Sequence, residues 1–458
     1  MHRTRGSARN ASAMVVALLL VGCAASPVSP TPIPSPTATA APASGVLPTV
    51  LASATPGPTP TTAAQTASPA STAAPQVGLA WTQVVDPDLA SYPNMGQMHG
   101  VISGGPGAIA WGARWGPAAA NGGLPSLGPE IWTTANGLDW TPATVERPTD
   151  ADPAAPGEVL DVSAGGPGFV AIGTYYRVEY GYAILVWTSV DGRTWPRVPD
   201  QPAFDHGRLN QVMPWNGQLL AVGCTLVTAV DCGEDAVWSS ADGRTWEKAA
   251  LSLPAGIVSV GLVARGADRL WGVGADDSGI AATYQATPPT RLTSVDGRTW
   301  SPVALPVLGI ERLHPLPGGL YLTVSALPSA ADGYEPPSAW VSRTAGLHRS
   351  TDLTHWQSLD SGGQVGDELV AVDGTLIMVG ATGTGCWLPW RCTAAAWRST
   401  DAGQTWTSSP VTASAAAGPP GATMLSLARL PDQALVAVGR LADANGWPST
   451  GAWVSPPR

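Results

Sequence analysis

The stretch Ser189-Val190-Asp191-Gly192-Arg193-Thr194-Trp195 decides how this chain is read. It returns as Ser240-Ala241-Asp242-Gly243-Arg244-Thr245-Trp246 and as Ser294-Val295-Asp296-Gly297-Arg298-Thr299-Trp300. Looser copies run from Thr134 through Asn136 to Trp140, from Ser350 through Asp352 to Trp356, and from Ser399 through Asp401 to Trp406. Each copy reads as a tight turn between two strands. The Asp or Asn side chain accepts main-chain N–H groups across the turn, and the Gly supplies positive φ. Thr re-enters a strand, and Trp brings a large apolar ring to bury. A turn repeated about every 50 residues speaks for a repeat architecture before it speaks for any chemistry.

Working outward, a second motif accompanies the turns: Ile109-Ala110-Trp111-Gly112, Val170-Ala171-Ile172-Gly173, Leu220-Ala221-Val222-Gly223 and Leu270-Trp271-Gly272-Val273-Gly274. It continues as Leu320-Tyr321-Leu322-Thr323-Val324, Ile377-Met378-Val379-Gly380 and Val436-Ala437-Val438-Gly439. These apolar runs fit strands buried on both faces. Turns such as Gly104-Gly105-Pro106-Gly107 and Gly165-Gly166-Pro167-Gly168 precede them, and short apolar segments precede those turns. One unit is therefore strand, turn, strand, variable loop, strand, Asp-turn, strand, which is a propeller blade. The second-strand motif occurs seven times, whereas the fourth-strand Trp follows an Asp-turn six times. Trp81, in Leu79-Ala80-Trp81-Thr82-Gln83-Val84, supplies the missing one, and the chain ends on a third strand at Gly451-Ala452-Trp453-Val454-Ser455. The expected fold is an all-β, seven-bladed β-propeller of four-stranded antiparallel blades over residues 77–458, its N-terminal strand closing the last blade.

Residues 1–22 read as a signal peptide: Arg3, Arg5 and Arg9 precede a short apolar run, too short to span a bilayer. Leu20-Val21-Gly22-Cys23 resembles the lipobox of bacterial lipoproteins, which implies lipidation at Cys23. Residues 23–76, rich in Pro, Thr, Ser and Ala, have nothing to bury and read as a disordered tether. The tether spans roughly 40 Å as a coil and ~160 Å as polyproline II. The expected address is extracytoplasmic, on the cell membrane. The 23 Lys+Arg against 33 Asp+Glu give −10, and about −13 without the signal's three arginines. That balance argues against nucleic acid or anionic lipid surfaces as partners, leaving the lipid anchor as the membrane contact. A monomer is expected. Cys224 with Cys232, and Cys386 with Cys392, each flank one second-to-third strand loop, and pairing within each loop suits an oxidising compartment. Zinc is the rival reading of these cysteines, but no CxxC pair supports it, and no metal or cofactor is expected.

The Asp-turns resemble the Asp-boxes of bacterial sialidases and other BNR-repeat propellers. Ser399 to Trp406 has the family's full spacing; the S-x-D-G-x-T-W copies are one residue shorter. The resemblance implies that the boxes are peripheral and structural, on the face opposite the active site. It also implies three arginines, a Tyr–Glu nucleophile pair and an Asp acid for catalysis, with an Arg-Ile-Pro motif that this chain lacks. The candidates at first-strand starts are Arg208, Arg312, Glu158 and Glu311, with Asp161, Asp367, Glu368 and His99 at comparable positions. Two such carboxylates close together could serve a glycosidase. No G-x-S-x-G, H-E-x-x-H or P-loop occurs.

Two functions follow from this reading. The first is a cell-surface or periplasm-facing lipoprotein whose propeller binds a protein or carbohydrate without catalysis. Its second-to-third strand loops carry Trp115, Tyr175, Tyr176, Tyr180 and Tyr182, and further on Tyr334, Trp387, Trp390 and Trp447, with charges among them. Aromatics with a few charges are typical of contact surfaces. The alternative is a sialidase-like exo-glycoside hydrolase.

Overall fold

The computed structural model describes residues 79–86, 89, 95–115, 126–149, 157–177, 181–228, 232–275, 290–303, 312–316, 319–324, 346–351, 355–359, 366–382, 392–413, 421–442 and 448–457. These residues are almost wholly β, with one 3₁₀ turn at Pro202–Phe204. No helix among them is long and apolar enough to cross a membrane.

The strands fall into consecutive antiparallel meanders that we number sheets 1 to 7 in chain order. Sheet 1 (95–142), sheet 3 (207–250), sheet 4 (259–303), sheet 5 (312–359) and sheet 6 (368–409) have four strands each, ordered as in the sequence. Sheet 2 (158–189) has three, because its fourth strand shrinks to a bridge between Trp187 and Arg197. Sheet 7 (421–455) has three strands of its own and takes in Trp81–Gln83 and Val411–Thr412. The first strand of each sheet packs on the sheet before it, and Met95–Gly104 of sheet 1 packs on the three main strands of sheet 7. Successive meanders stacked in this way are the build of a β-propeller. Second strands are buried on both faces, as in Gly168–Arg177 and Thr375–Thr382, and supply the cores between sheets.

The Asp-turns form by the bonds their residue types allow. Asp191 Oδ1 accepts the N–H groups of Arg193 at 2.8 Å and Thr194 at 3.0 Å. The Ser189 hydroxyl donates to the same carboxylate and accepts the Gly192 N–H at 2.9 Å. Gly192 takes φ 76°, so its carbonyl turns inward to accept Trp195 Nε1 at 2.9 Å. Asp242 and Asp296 repeat the main-chain bonds, and Asn136 does so with its amide oxygen. In the longer copy, Ala402 at φ 58° takes up the extra residue and Asp401 still caps Thr405. Because these bonds favour the ionised form, the Asp242 and Asp401 carboxyls are held down at about 2. Trp140, Trp195, Trp246 and Trp300 are buried; Trp356 and Trp406 are half-buried. Asp352 lies outside the described residues.

Neighbouring sheets meet on these turns. Trp215 Nε1 and Asn216 Nδ2 of sheet 3 both donate to the Val295 carbonyl of sheet 4, at 3.0 and 2.8 Å. At Gly105 of sheet 1, at φ +57°, a Cβ would press to 3.0 Å from the Asp191 carbonyl of sheet 2.

Trp81–Gln83 runs antiparallel to the last strand, pairing Thr82 with Val454 and Gln83 with Trp453. On its other side Trp81 pairs in parallel with Val411, as Trp195 pairs with Val145. Trp81 is fully buried and stands where the other sheets place their fourth-strand Trp. Its Nε1 has no acceptor. Cys224 and Cys232 form a disulfide across their loop, which points to an extracytoplasmic location. Cys392 is also disulfide-bonded; Cys386 lies outside the described residues.

Candidate functional site

The starts of the first strands, the ends of the second and the beginnings of the third share one end of the sheets, opposite the Asp-turns. There the Gly of the second-strand motif pairs with the first strand: Met98 with Gly112, Val159 with Gly173, Leu209 with Gly223 and Met424 with Gly439. A Cβ on Gly112, Gly223 or Gly439 would collide with the carbonyl of Gln97, Arg208 or Thr423. Glycine therefore lets the two backbones close up, and Gln97, Glu158, Arg208 and Thr423 take equivalent places in four sheets. A β-bulge follows in each of these first strands, which re-aims the next side chains.

Polar and titratable groups from five sheets stand at this end. Arg440 follows Gly439 on sheet 7, and its guanidinium donates to the Gln97 side-chain oxygen of sheet 1, with the amide oriented by that bond. His99, at the bulge of sheet 1, bonds to the Val159 main chain of sheet 2. Burial first, and then the nearby Arg440 charge, pull its imidazole down to about 4, so it is neutral at pH 7. Asp367, just before the first strand of sheet 6, acts on Arg440, whose burial works against its charge.

On the other flank, burial raises the Glu158 carboxyl of sheet 2, and the Arg208 cation of sheet 3 opposes that rise. The Arg208 guanidinium lies 5.5 Å from the ring centre of Tyr182, and its buried Nε has no hydrogen-bond partner. Tyr182 meets Tyr176 edge to face at 5.6 Å. The arrangement offers two partly desolvated guanidinium groups, a carboxyl that holds its proton more tightly than usual, a neutral imidazole and an aromatic pair. Such a set can bind polar or anionic groups and donate a proton.

The structure treats the expected residues unequally. His99 and Asp367 lie by Arg440, and Glu158 lies by Arg208, which faces Tyr182, as set out above. Asp161, expected alongside Glu158, instead turns to the joint with sheet 3 and accepts the Val212 N–H at 2.8 Å. Tyr175, expected in the aromatic contact surface, is a correction: it is 1% exposed. Strand alternation sends its ring into the core of sheets 1 and 2, while its hydroxyl reaches Arg177 and its neighbour Tyr176 is half-buried. Arg312 and Trp115 are placed on strands by their backbones alone. Glu311, Tyr180, Tyr334, Trp387, Trp390 and Trp447 lie outside the described residues. The sequence reading missed Arg440 and Gln97. The signal for Arg440 was its place directly after the Val-Gly of a second strand.

No protein-family model and no curated protein matches the chain. Among solved structures it is similar to a protein of unknown function from Dyadobacter fermentans, at 14% identity and TM-score 0.43, over 69% of this chain and 98% of that one. The β-propeller domain of the Trilobed protease from Pyrococcus furiosus is similar at 8% identity and TM-score 0.46, over 79% and 94%. Trypanosoma rangeli sialidase in complex with sialic acid is similar at 13% identity and TM-score 0.41, over 78% of this chain and 53% of that one.

Proposed function

We propose that this chain is a lipid-anchored surface protein whose seven-bladed propeller binds a protein or carbohydrate ligand without catalysis, at the end of the blades opposite the Asp-boxes. The proposed division is signal peptide to residue 22, lipidated Cys23 with a tether to residue 76, then the propeller. The strand at Trp81 completes the last blade, and the protein acts as a monomer held to the membrane by its lipid alone.

The observation that carries the reading is the meeting of Arg208 of sheet 3 with Glu158 and Tyr182 of sheet 2, at the same end of the sheets as Arg440 and His99. An arginine stacked on a tyrosine, with a buried Nε still lacking an acceptor, is prepared for a ligand oxygen. The raised Glu158 carboxyl supports a second reading, a sialidase-like glycoside hydrolase with Glu158 as acid.

One experiment separates the two. The full chain is screened against a glycan array and a panel of fluorogenic glycosides, sialosides included. Binding without turnover, lost in Arg208→Ala and Tyr182→Ala, is the expected result. Turnover that disappears in Glu158→Gln would overturn the non-catalytic reading.

A further inference from the structure

The first strands of sheets 7, 1, 2, 3 and 4 contact one another in that order. On each, the residue that pairs with the motif Gly is buried: Met424, Met98, Val159, Leu209 and Val260. The residue just before it is polar in all five sheets: Thr423, Gln97, Glu158, Arg208 and Ser259. The shared register therefore sets one polar group per sheet at the same height, an arc across five neighbouring strands. Four of the five are half-buried, and Thr423 is buried. Two of these side chains hold polar atoms that nothing satisfies. Arg208 Nε and Thr423 Oγ1 are buried and make no hydrogen bond, a cost that a ligand oxygen or hydroxyl would remove. The charges around the arc are already matched. Its one cation, Arg208, and its one acid, Glu158, stand on adjacent first strands within electrostatic reach of each other. Arg440, the cross-strand partner of Thr423, directs its guanidinium to the Gln97 oxygen and has the Asp367 charge nearby.

We propose that this arc takes a neutral sugar, one without a carboxylate, sulfate or phosphate group, whose hydroxyls meet Thr423, Gln97, Glu158 and Arg208. The inference deepens the binding reading argued above, in its carbohydrate form, and rests on it.

The mixture of groups gives the class of ligand. A sugar hydroxyl both donates and accepts, so it can use the Glu158 carboxyl as acceptor, the Arg208 Nε–H as donor, and the Thr423 hydroxyl or Gln97 amide as either. The planar ends of Glu, Gln and Arg also suit two adjacent hydroxyls at once. An anionic group only accepts, and it would bring its charge up to Glu158 and Asp367 while finding no guanidinium free of an acidic neighbour. The aromatic pair Tyr176 and Tyr182, beside Arg208, supplies an apolar surface for the C–H face of a sugar ring. A protein contact would centre on large apolar anchors, and the arc carries none.

Isothermal titration calorimetry on the full chain tests this with matched methyl glycosides: glucose and glucuronic acid, galactose and galacturonic acid, mannose and mannuronic acid. Within each pair a carboxylate replaces the hydroxymethyl group and nothing else changes. At least one neutral member should bind, its acidic counterpart roughly ten-fold more weakly or worse. The neutral affinity should not move between low and high salt. Arg208→Lys keeps the charge and loses the Nε–H, and should weaken the neutral sugar by about ten-fold. Thr423→Val keeps the shape without the hydroxyl and should weaken it several-fold; it carries the assignment should the lysine form fail to fold. Tighter binding of the acidic members, or binding of no sugar, overturns the inference, and the first of these leaves the binding reading standing. Turnover of a glycoside that disappears in Glu158→Gln would instead strike the non-catalytic reading, while the order within each pair would still decide the charge of the ligand.

Discussion

Replacing Trp81 by Phe should cost much less than the same replacement at Trp195, although both rings are fully buried. The shared part is the trimmed ring, about 1–2 kcal/mol, between an Ile→Val loss and a full Trp→Ala loss. At Trp195 the indole N–H donates to Gly192 O at 2.9 Å, so Phe also strips a buried carbonyl of its donor. That adds about 1–3 kcal/mol. At Trp81 the indole N–H is buried with no acceptor, and removing it relieves a desolvation penalty of about the same size. The two effects offset, leaving Trp81→Phe near neutral and the gap between the variants at about 2 kcal/mol or more. Trp300, whose Nε1 is also without a partner, should behave like Trp81. Urea titration followed by circular dichroism, with the slope held common to the set, reads the difference directly. Equal losses at Trp81 and Trp195, or a larger one at Trp81, would refute the reasoning.

Truncating the chain at Pro87 removes Trp81 and its strand, and should cost on the order of 3–5 kcal/mol. Deleting only Ala24 to Pro75 should leave the melting temperature unchanged, and two truncations that melt alike would sink the closure of the last blade. Arg440→Met removes one of the two influences that depress His99, so an NMR titration should find the imidazole above its value of about 4. It should stay below 6.5, because burial is the larger cause. The Asp242 carboxyl is depressed to about 2, chiefly by the Thr245 and Arg244 N–H bonds, so its contribution is present above about pH 4 and lost as the pH falls towards 2. The melting temperature of wild type should therefore fall relative to Asp242→Asn across that window, and parallel curves would count against the turn bonds.

Much of the architecture was legible because its signals are local. An Asp, a Gly and a Trp at fixed spacing specify a turn through bonds within seven residues, and the second-strand runs announce burial by composition alone. The bridging role of Trp81 was legible by counting. The shrunken fourth strand of sheet 2 was not, because Trp195 pairs with Val145 of the preceding segment rather than within its own sheet. The site was legible in part. Glu158 and Arg208 stand at strand starts, a position that sequence can find. Arg440 and Gln97 meet only because sheet 7 packs against sheet 1, across more than three hundred residues of chain, and no local pattern encodes that encounter. Tyr175 misled for the opposite reason: two adjacent tyrosines on a strand point to opposite faces, and sequence does not say which face is the core.

The strand at Trp81 has a mechanical consequence. It is the first strand among the described residues, so a pull applied at its N-terminal end loads it directly. Its neighbours lie along both edges, Val411–Thr412 in parallel and Pro448–Ser455 antiparallel, and a force along its axis loads those contacts in shear. Contacts in shear share the load and yield together, whereas a hairpin peeled from its end gives way one bond at a time. The bulky indole sealed in its pocket acts as a stop against sliding. A propeller pulled at this strand would resist up to a threshold and then open at a single seam, with the other sheets still folded.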